Sequence, residues 1–276
     1  MSLTMTLTLG RLLGPFSALW RYRSLTGELA KRDVLGRYRG ASFGLLWSLL
    51  SPFLMLCVYS FAFGMVMKAR WPQSDSGDHH FSIILFIGLI VHGFFSECMT
   101  RGPTLVTGNP SYVKKVIFPL EILPWTIVLS ALFHAFMNLI VYSILRFMLE
   151  GTGSWTIFLM PIVFIPLICI SLGVCWIFAA LGVYLRDISQ VTGVLATAML
   201  FLSSAMIPIQ TLPDKYRIIF YLNPLTFIID QARAVALWGH QPNWEGLALY
   251  TFGGLALMCL GYLWFMATKR GFADVL

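Results

Sequence analysis

The chain has 276 residues, of which 58% are apolar and only 11% are charged, and its mean hydropathy is +0.79. A soluble domain of this length carries about a quarter charged residues, because its surface must be hydrated. The composition therefore excludes a soluble, collagenous or disordered protein and predicts one integral membrane domain without a separate catalytic domain. The five cysteines show no C-x-x-C spacing. This pattern is typical of buried or lipid-facing thiols rather than of metal ligands or disulfides.

The first predicted element is a cytoplasmic amphipathic interface segment in residues 1–42. Between Leu12 and Leu35, apolar residues recur near helical spacing with basic residues between them. Indole and guanidinium groups are favoured in the headgroup layer, so the pattern predicts a helix lying along the membrane surface. A plain basic anchor is the alternative. The first residues also lack the basic start and small-residue cleavage site of a signal peptide.

Residues 43–276 are predicted to form an all-α, polytopic transmembrane domain. Six uninterrupted apolar stretches predict six spans, at 43–67, 81–99, 122–149, 155–184, 191–210 and 247–268. Residues 218–237 are also apolar, but Asn223-Pro224 breaks them into two pieces. Each piece is too short to cross about 30 Å of hydrocarbon at about 1.5 Å per residue. We therefore expect a re-entrant helix pair between spans five and six.

The basic residues predict the orientation. Most of the 19 Lys and Arg residues lie before the first span, in the second and fourth connecting loops, and after the last span. Basic loops stay on the cytoplasmic side, so both termini are expected there and the re-entrant pair is expected on the periplasmic side. The net charge of +7 needs no nucleic acid to explain it.

The sequence lacks the common motifs of nucleotide-binding, metalloprotease and serine hydrolase sites. The sequence contains no G-x-x-x-x-G-K-S/T, H-E-x-x-H or G-x-S-x-G motif. We therefore predict no catalytic residue and no nucleotide or metal site on this chain, and interpret His79-His80 as solvated loop residues. His134 and Asn138, four residues apart on one face of the third span, should face the bundle interior together with Arg146. These residues could serve either interhelical hydrogen bonding or a substrate path, and the sequence favours neither role.

The loop between spans two and three predicts a short basic helix. Asn109 is suited to cap it and Pro110 to occupy its first position. Residues 111–117 would form about two turns, stopped by Pro119, with three exposed side chains: Tyr112, Lys114 and Lys115. A stiff basic helix between spans offers a surface to a cytoplasmic partner; a solvated connector is the alternative.

Four groups of residues then occur in a recognisable order. They are Lys31-Arg32-Asp33 with Arg37-Tyr38-Arg39-Gly40, Leu45, Trp47 and Pro52; Asn109-Pro110 with Phe118-Pro119-Leu120-Glu121; Arg186-Asp187-Ile188; and Asn223-Pro224-Leu225. In this order, across nearly the whole chain, they resemble the ABC-2 type permeases that export polysaccharides. The nearest subgroup is that of O-antigen or other lipopolysaccharide exporters, with capsule and teichoic acid permeases as near relatives.

The resemblance implies a homodimer of this chain, joined by two copies of a separate ATPase that binds ATP and Mg²⁺, in the bacterial inner membrane. The complex would move an undecaprenyl diphosphate-linked glycan, with O-antigen the first candidate, from the cytoplasm to the periplasm. The ATPase-coupling residues would be Asn109, Pro110, Tyr112, Lys114, Lys115, Arg186 and Asp187. The periplasmic gate would include Asn223, Pro224, Asp230 and Arg233.

The substrate suggests two further groups of residues. Guanidinium groups bind diphosphate oxygens in pairs, which favours Arg32, Arg37 and Arg39 near the first span; anchoring to lipid headgroups is the alternative. Aromatic rings can stack on sugars, and the aromatics deep in spans are Tyr59, Phe63, Phe133, Tyr142 and Trp176.

Three other functions are weighed. An ABC-2 exporter of small lipophilic molecules shares the six-span plan, but the basic, aromatic N-terminal segment resembles the polysaccharide branch. A membrane enzyme acting on prenyl phosphates should cluster acidic residues for Mg²⁺. Here the 12 Asp and Glu residues are dispersed along the chain. The close pair Asp75 and Asp78 lies in the loop predicted to be on the periplasmic side of the membrane. A purely structural subunit would not need a broken re-entrant pair.

Overall fold

A computed structural model describes residues 14–66, 71, 81–113, 118–151 and 153–276, and it confirms the all-α class. The α-helices in chain order are α1 (Gly14–Arg21), α2 (Arg23–Arg37), α3 (Trp47–Tyr59), α4 (Phe81–Arg101), α5 (Thr104–Thr107), α6 (Pro110–Val113), α7 (Leu123–Glu150), α8 (Met160–Tyr184), α9 (Ile188–Phe201), α10 (Asp214–Leu222), α11 (Pro224–Ala236), α12 (Trp244–Thr268) and α13 (Phe272–Val275). Helical turns of other types extend several of them, including a π-helix at Ser60–Val66 after α3.

Within the part of the chain that the structure describes, five helical segments are long and apolar enough to cross a membrane. They are Gly44–Phe63, Phe81–Arg101, Leu120–Glu150, Trp155–Tyr184 and Trp244–Val275. The stretch predicted at 191–210 corresponds to α9, which has 14 residues and ends at Phe201. Beyond it, the Ser203 hydroxyl accepts a hydrogen bond from the Ala205 backbone N–H at 3.2 Å. Such side-chain bonds compete with the backbone hydrogen bonds of a helix, and Pro208 further on has no N–H to donate. Both features oppose continuation of α9 beyond Phe201.

Successive long helices run in alternating directions. At one end of the bundle, α2 contacts the C-terminal turns of α4, and Lys269 after α12 pairs with Glu121 before α7 at 2.6 Å. At the other end, α11 contacts the start of α4 and the last turns of α7. We call these the α2 end and the α11 end.

α8 packs closely against α12. A Cβ atom on Gly261 would collide with the carbonyl oxygen of Gly173, and one on Gly173 would lie 2.7 Å from that of Leu257. Small residues at such positions allow two membrane helices to approach backbone to backbone. Trp176 is fully buried beside this contact and donates from Nε1 to the Glu121 carbonyl at 3.2 Å.

The N-terminal segment differs in two ways from the single surface helix that the sequence predicts. Its described part contains two helices, α1 and α2, which are separated at Tyr22 (φ −112°, ψ 27°). α1 is held to the bundle by the Trp125 indole, which donates to the Pro15 carbonyl at 3.1 Å. Trp20 is mostly exposed, with the Arg23 guanidinium 4.9 Å from its ring centroid, an arrangement suited to a headgroup layer.

The break near residue 223 separates α10 from α11. Asn223 has an extended backbone (φ −75°, ψ 116°), and its side-chain oxygen accepts a hydrogen bond from the Leu225 N–H at 3.0 Å. Asn223 is therefore the N-cap of α11, and Pro224 occupies the first helical position, where its missing N–H is harmless.

Candidate functional site

A cluster of ion pairs at the α2 end joins three helices. Glu97 on α4 accepts hydrogen bonds from Arg37 on α2 and from Arg101 at 3.0 Å. It also faces Nδ1 of His134 on α7 at 3.2 Å. Arg101 donates with its other nitrogen to Asp33 on α2 at 2.5 Å. The cluster thus ties α2 to the bundle through charged groups on α4 and α7.

Asp33, the acidic residue that α2 contributes to the cluster, is stabilised in its charged form. Burial alone would raise the pKa of Asp33, but the hydrogen bond and charge of Arg101 outweigh it. They hold the pKa of Asp33 below its ordinary value, so the pair is ionised at neutral pH.

Next to this cluster lies a cavity of about 480 Å³ between α3, α4, α7 and α9. Its lining includes Arg37, Trp47, Tyr59, Glu97, His134 and Asn138. Charged groups, an amide and aromatic faces therefore meet in one space. This is the kind of lining that suits a ligand with both anionic and sugar-like parts.

The structure separates Arg37 from the other two arginines predicted to bind a diphosphate. Arg37 lines the cavity. Arg32 donates to the Tyr112 hydroxyl at 2.7 Å. It also lines a separate surface pocket together with Lys31 and with Arg39, which follows the end of α2. Four residues of the sequence hypothesis are nevertheless brought together in the cavity: Arg37, Tyr59, His134 and Asn138. Arg146, grouped with the last two from the sequence, lies at the α11 end.

The segment predicted to contact an ATPase begins at Pro110, the first residue of α6. The Asn109 amide donates to the Leu105 carbonyl at 3.0 Å, so its side chain closes the preceding helix α5. The Tyr112 ring stacks on Phe118, with 4.2 Å between centroids, and residues of the segment and of α2 together line a polar pocket of about 220 Å³. Lys114 and Lys115 lie outside the described residues.

Arg186 and Asp187 are exposed in the turn between α8 and α9. The C-terminal turns of α8 lie at the α2 end, because Tyr184 donates to the Thr268 carbonyl at the end of α12 at 3.0 Å. Both residues are therefore open to a partner at the same end as α6.

The five predicted path aromatics have different surroundings. Tyr59 lines the cavity, and the Phe63 ring lies 6.3 Å from it by centroids. Phe133 is half-buried beside His134. Tyr142 is buried and donates to the Ala236 carbonyl at 2.9 Å, so it holds the C-terminus of α11. Tyr142 and the buried Trp176 thus pack the bundle rather than line this cavity.

Two of the predicted gate residues, Asp230 and Arg233, line a pocket of about 160 Å³ at the α11 end, whereas Asn223 and Pro224 lie at the start of α11 and do not line it. The Asp230 and Arg233 side chains are 3.9 Å apart, as expected for oppositely charged groups three residues apart on a helix. Arg233 is buried, whereas the Asp230 side chain is partly exposed. Within the described residues, no group of three His, Cys, Asp or Glu side chains is placed to hold a metal ion.

Sequence reasoning missed Glu97 and Arg101, which are central to the cluster. Glu97 falls inside the predicted span 81–99, and an acidic residue within a span is costly unless it is paired in the interior. Arg101 follows four residues later, the spacing of a helical ion pair. These two signals, taken together, would have identified the pair.

Within the described residues, a helical bundle with five membrane-length segments and a partly buried ion-pair cluster beside a cavity defines a polytopic membrane protein. The comparison with known families is more specific. The chain belongs to the ABC-2 type transporter family, which matches residues 24–237.

Curated relatives match over nearly their whole length. The O-antigen export system permease protein RfbA of Myxococcus xanthus is 26% identical over 258 residues, which are 93% of this chain and 96% of the relative. A protein of the same name from Klebsiella pneumoniae is 25% identical over 90% of this chain and 93% of its own length. The polysialic acid transport protein KpsM of Escherichia coli is 25% identical over 83% of this chain and 86% of its own length.

Proposed function

We propose that this chain is the permease subunit of an ABC exporter that moves a lipid-linked polysaccharide, with O-antigen the first candidate, out of the cytoplasm. The observation that carries the proposal is the cavity at the α2 end, where Arg37 meets aromatic and amide side chains. The names of the relatives, two O-antigen permeases and a polysialic acid transporter, support the same substrate class.

The substrate that fits best is a glycan on an undecaprenyl diphosphate carrier. The Arg37 side chain is 40% exposed, so its guanidinium is within reach of a phosphate group at the α2 end. Tyr59 and Trp47 offer ring faces to a sugar, and Asn138 offers an amide for its hydroxyls. Sugar rings and a diphosphate would thus find complementary groups within one cavity.

Energy would come from a separate ATPase that binds ATP and Mg²⁺. The α6 segment and the Arg186–Asp187 turn are the surfaces proposed to meet it. Tyr112 is bonded to Arg32 on α2, so a displacement of α6 would reach α2 directly. Lys114 and Lys115 would add basic charge to the same surface.

The working assembly is proposed to be a homodimer in the bacterial inner membrane, with six spans per chain and both termini in the cytoplasm. α3 exposes a row of apolar residues beside the open side of the cavity, including Phe53, Leu54 and Val58. A second copy, together with lipid, would cover this face. Asn223, Pro224, Asp230 and Arg233 would then belong to the periplasmic gate.

Deletion of the gene in its own host tests the proposal. Surface polysaccharide should be lost and lipid-linked glycan should accumulate inside the cell, and both should return when the intact gene is expressed. Normal surface polysaccharide in the deletion strain would contradict the proposal. Unchanged polysaccharide combined with new sensitivity to lipophilic drugs would favour an ABC-2 exporter of small molecules instead.

A capsular polysaccharide or teichoic acid is the second candidate substrate, supported by the similarity to KpsM. The same deletion distinguishes these polymers, because lipopolysaccharide, capsule and teichoic acid are separated by extraction. The identity of the missing polymer would name the substrate.

A further inference from the structure

The helical part of α9 is shorter than a membrane crossing. Its 14 residues span about 21 Å, compared with about 30 Å of hydrocarbon. The last carbonyl groups of a helix lack partners within the helix. At membrane depth such groups must be satisfied by other parts of the protein.

Two side chains at opposite ends of α11 bind carbonyls at the end of α9 and in the turn that follows it. The Asn223 amide donates to the carbonyls of Met199 at 2.9 Å and Leu202 at 3.0 Å. The Arg233 guanidinium donates to those of Ser204 at 2.6 Å and Ala205 at 2.9 Å. A cation near a helix C-terminus is also favourable for the helix dipole. The end of α9 is therefore fastened to α11 along most of the length of α11.

Arg233 also fastens α11 to α4. Its Nε donates to the Ile84 carbonyl at 3.1 Å, and its guanidinium lies 4.4 Å from the centroid of the Trp71 ring. Gly88 makes this approach possible, since a Cβ there would lie 2.9 Å from Cα of Ala205 and 3.0 Å from Nη2 of Arg233. One buried side chain thus joins α4, the turn after α9, and α11.

The C-terminus of α11 is held as firmly by α7 and the start of α8. Arg146 donates to the carbonyls of Ala236 and, at 2.9 Å, Leu237. Thr156 donates to the Val235 carbonyl at 2.5 Å. Both ends of α11 are therefore bonded to the bundle.

α10 has a different environment on the other side of Asn223. Its apolar side chains Ile218, Tyr221 and Leu222 are more than half exposed. Arg217 donates to the nearby carbonyls of Leu212 at 2.9 Å and Gln210 at 3.1 Å. Across the break, the Thr226 hydroxyl donates to the Phe220 carbonyl at 2.7 Å.

We propose that α11 is a fixed strut of the gate, that Asn223 and Arg233 are the positioning residues that hold the end of α9 on it, and that α10 is the part that moves. The inference rests on the proposed export function, because it assigns roles within its gate. It divides the helix pair into a static and a mobile half, with the joint at Asn223.

Single cysteines in the assembled permease and ATPase, on a background without native cysteines, test the proposal. Ile218→Cys and Leu222→Cys report on α10, and Ala234→Cys reports on α11. Labelling by a membrane-impermeant thiol reagent should change severalfold at residues 218 and 222 when the ATPase is trapped with nucleotide, and should stay unchanged at 234. Equal changes at all three positions would overturn the proposal, as would a change at 234 alone.

The variant Arg233→Lys examines the strut itself. Lysine keeps the charge but lacks the planar fork that reaches three carbonyls at once. Labelling at Ala234→Cys should rise severalfold in the resting state, while Arg217→Lys, whose native bonds are local, should leave it unchanged. No rise in a variant that elutes as a folded complex would contradict the role of Arg233. This resting-state readout does not require transport, so it can fail while the export function stands, and the reverse also holds.

Discussion

Arg101 binds Asp33 at 2.5 Å and so joins the last turn of α4 to α2, two segments that are far apart in the sequence. A second pair of opposite charge, Arg37 and Glu97, lies one helical turn away. On each helix the acid and the base are four residues apart, so the two helices present complementary charges. α2 is thereby positioned on the bundle by specific pairs rather than by apolar contact alone.

Exchanging the charges of Asp33 and Arg101 should show whether stability depends on the contact between the two residues or only on the number of charges present. Asp33→Arg and Arg101→Asp should each lower the melting temperature of the purified protein, since each places like charges together. The double exchange should recover much of the loss. Both side chains are about one-third exposed, so the expected cost is on the order of 1 kcal/mol. A double variant no more stable than the worse single variant would contradict the pairing.

Arg37→Ala should reduce polysaccharide export strongly while leaving the protein in the membrane. The guanidinium that lines the cavity would be lost, and with it the proposed phosphate contact. Lys31→Ala removes a cation from the outer face of the same helix and is the matched control. Export is measured as surface polysaccharide in the complemented deletion strain. Equal loss in both variants would indicate a general effect of charge at the membrane surface.

Tyr112→Phe should weaken coupling without preventing assembly. The change removes the hydroxyl that accepts from Arg32 at 2.7 Å and keeps the ring stacked on Phe118. One hydrogen bond is worth about 1 kcal/mol, so we expect fewer glycans exported per ATP hydrolysed rather than complete loss. Tyr22→Phe is the control. An unchanged ratio of export to hydrolysis would show that this bond plays no part in coupling.

Arg146→Met should destabilise the protein more than Tyr142→Phe does. Arg146 is buried and binds Glu150 at 3.2 Å as well as two carbonyls at the end of α11. Removing one partner of a buried ion pair typically costs about 3–5 kcal/mol, against about 1 kcal/mol for a hydroxyl bond. Thermal unfolding in detergent measures both. The reverse order of melting temperatures would contradict the assignment.

The purified chain should release no phosphate from ATP. The sequence has no G-x-x-x-x-G-K-S/T motif to cradle a nucleotide. Hydrolysis should be observed only after the proposed ATPase subunit is added. Robust ATP hydrolysis by this chain alone, unaffected by further purification, would refute the proposal that a separate subunit hydrolyses ATP.

The sequence by itself was sufficient for the features that depend on local pattern. Runs of apolar residues predict long helices because lipid leaves the backbone no partners except its own. The break at Asn223 is equally local, because a capping amide followed by proline both starts one helix and stops another. The clustering of His134 with Asn138 on an interior face also followed from helical spacing and the cost of polar groups in lipid.

Only the tertiary structure decided which polar groups meet. Glu97, Arg37 and His134 come from three helices, and no sequence spacing relates residues on different helices. The same limit applies to Arg233, whose carbonyl partners on α4 and beyond α9 carry no side-chain signal in the sequence. Helix length and type follow from interactions a few residues apart, whereas the site depends on how α2, α4 and α7 pack, and that is set by contacts between residues far apart in the chain.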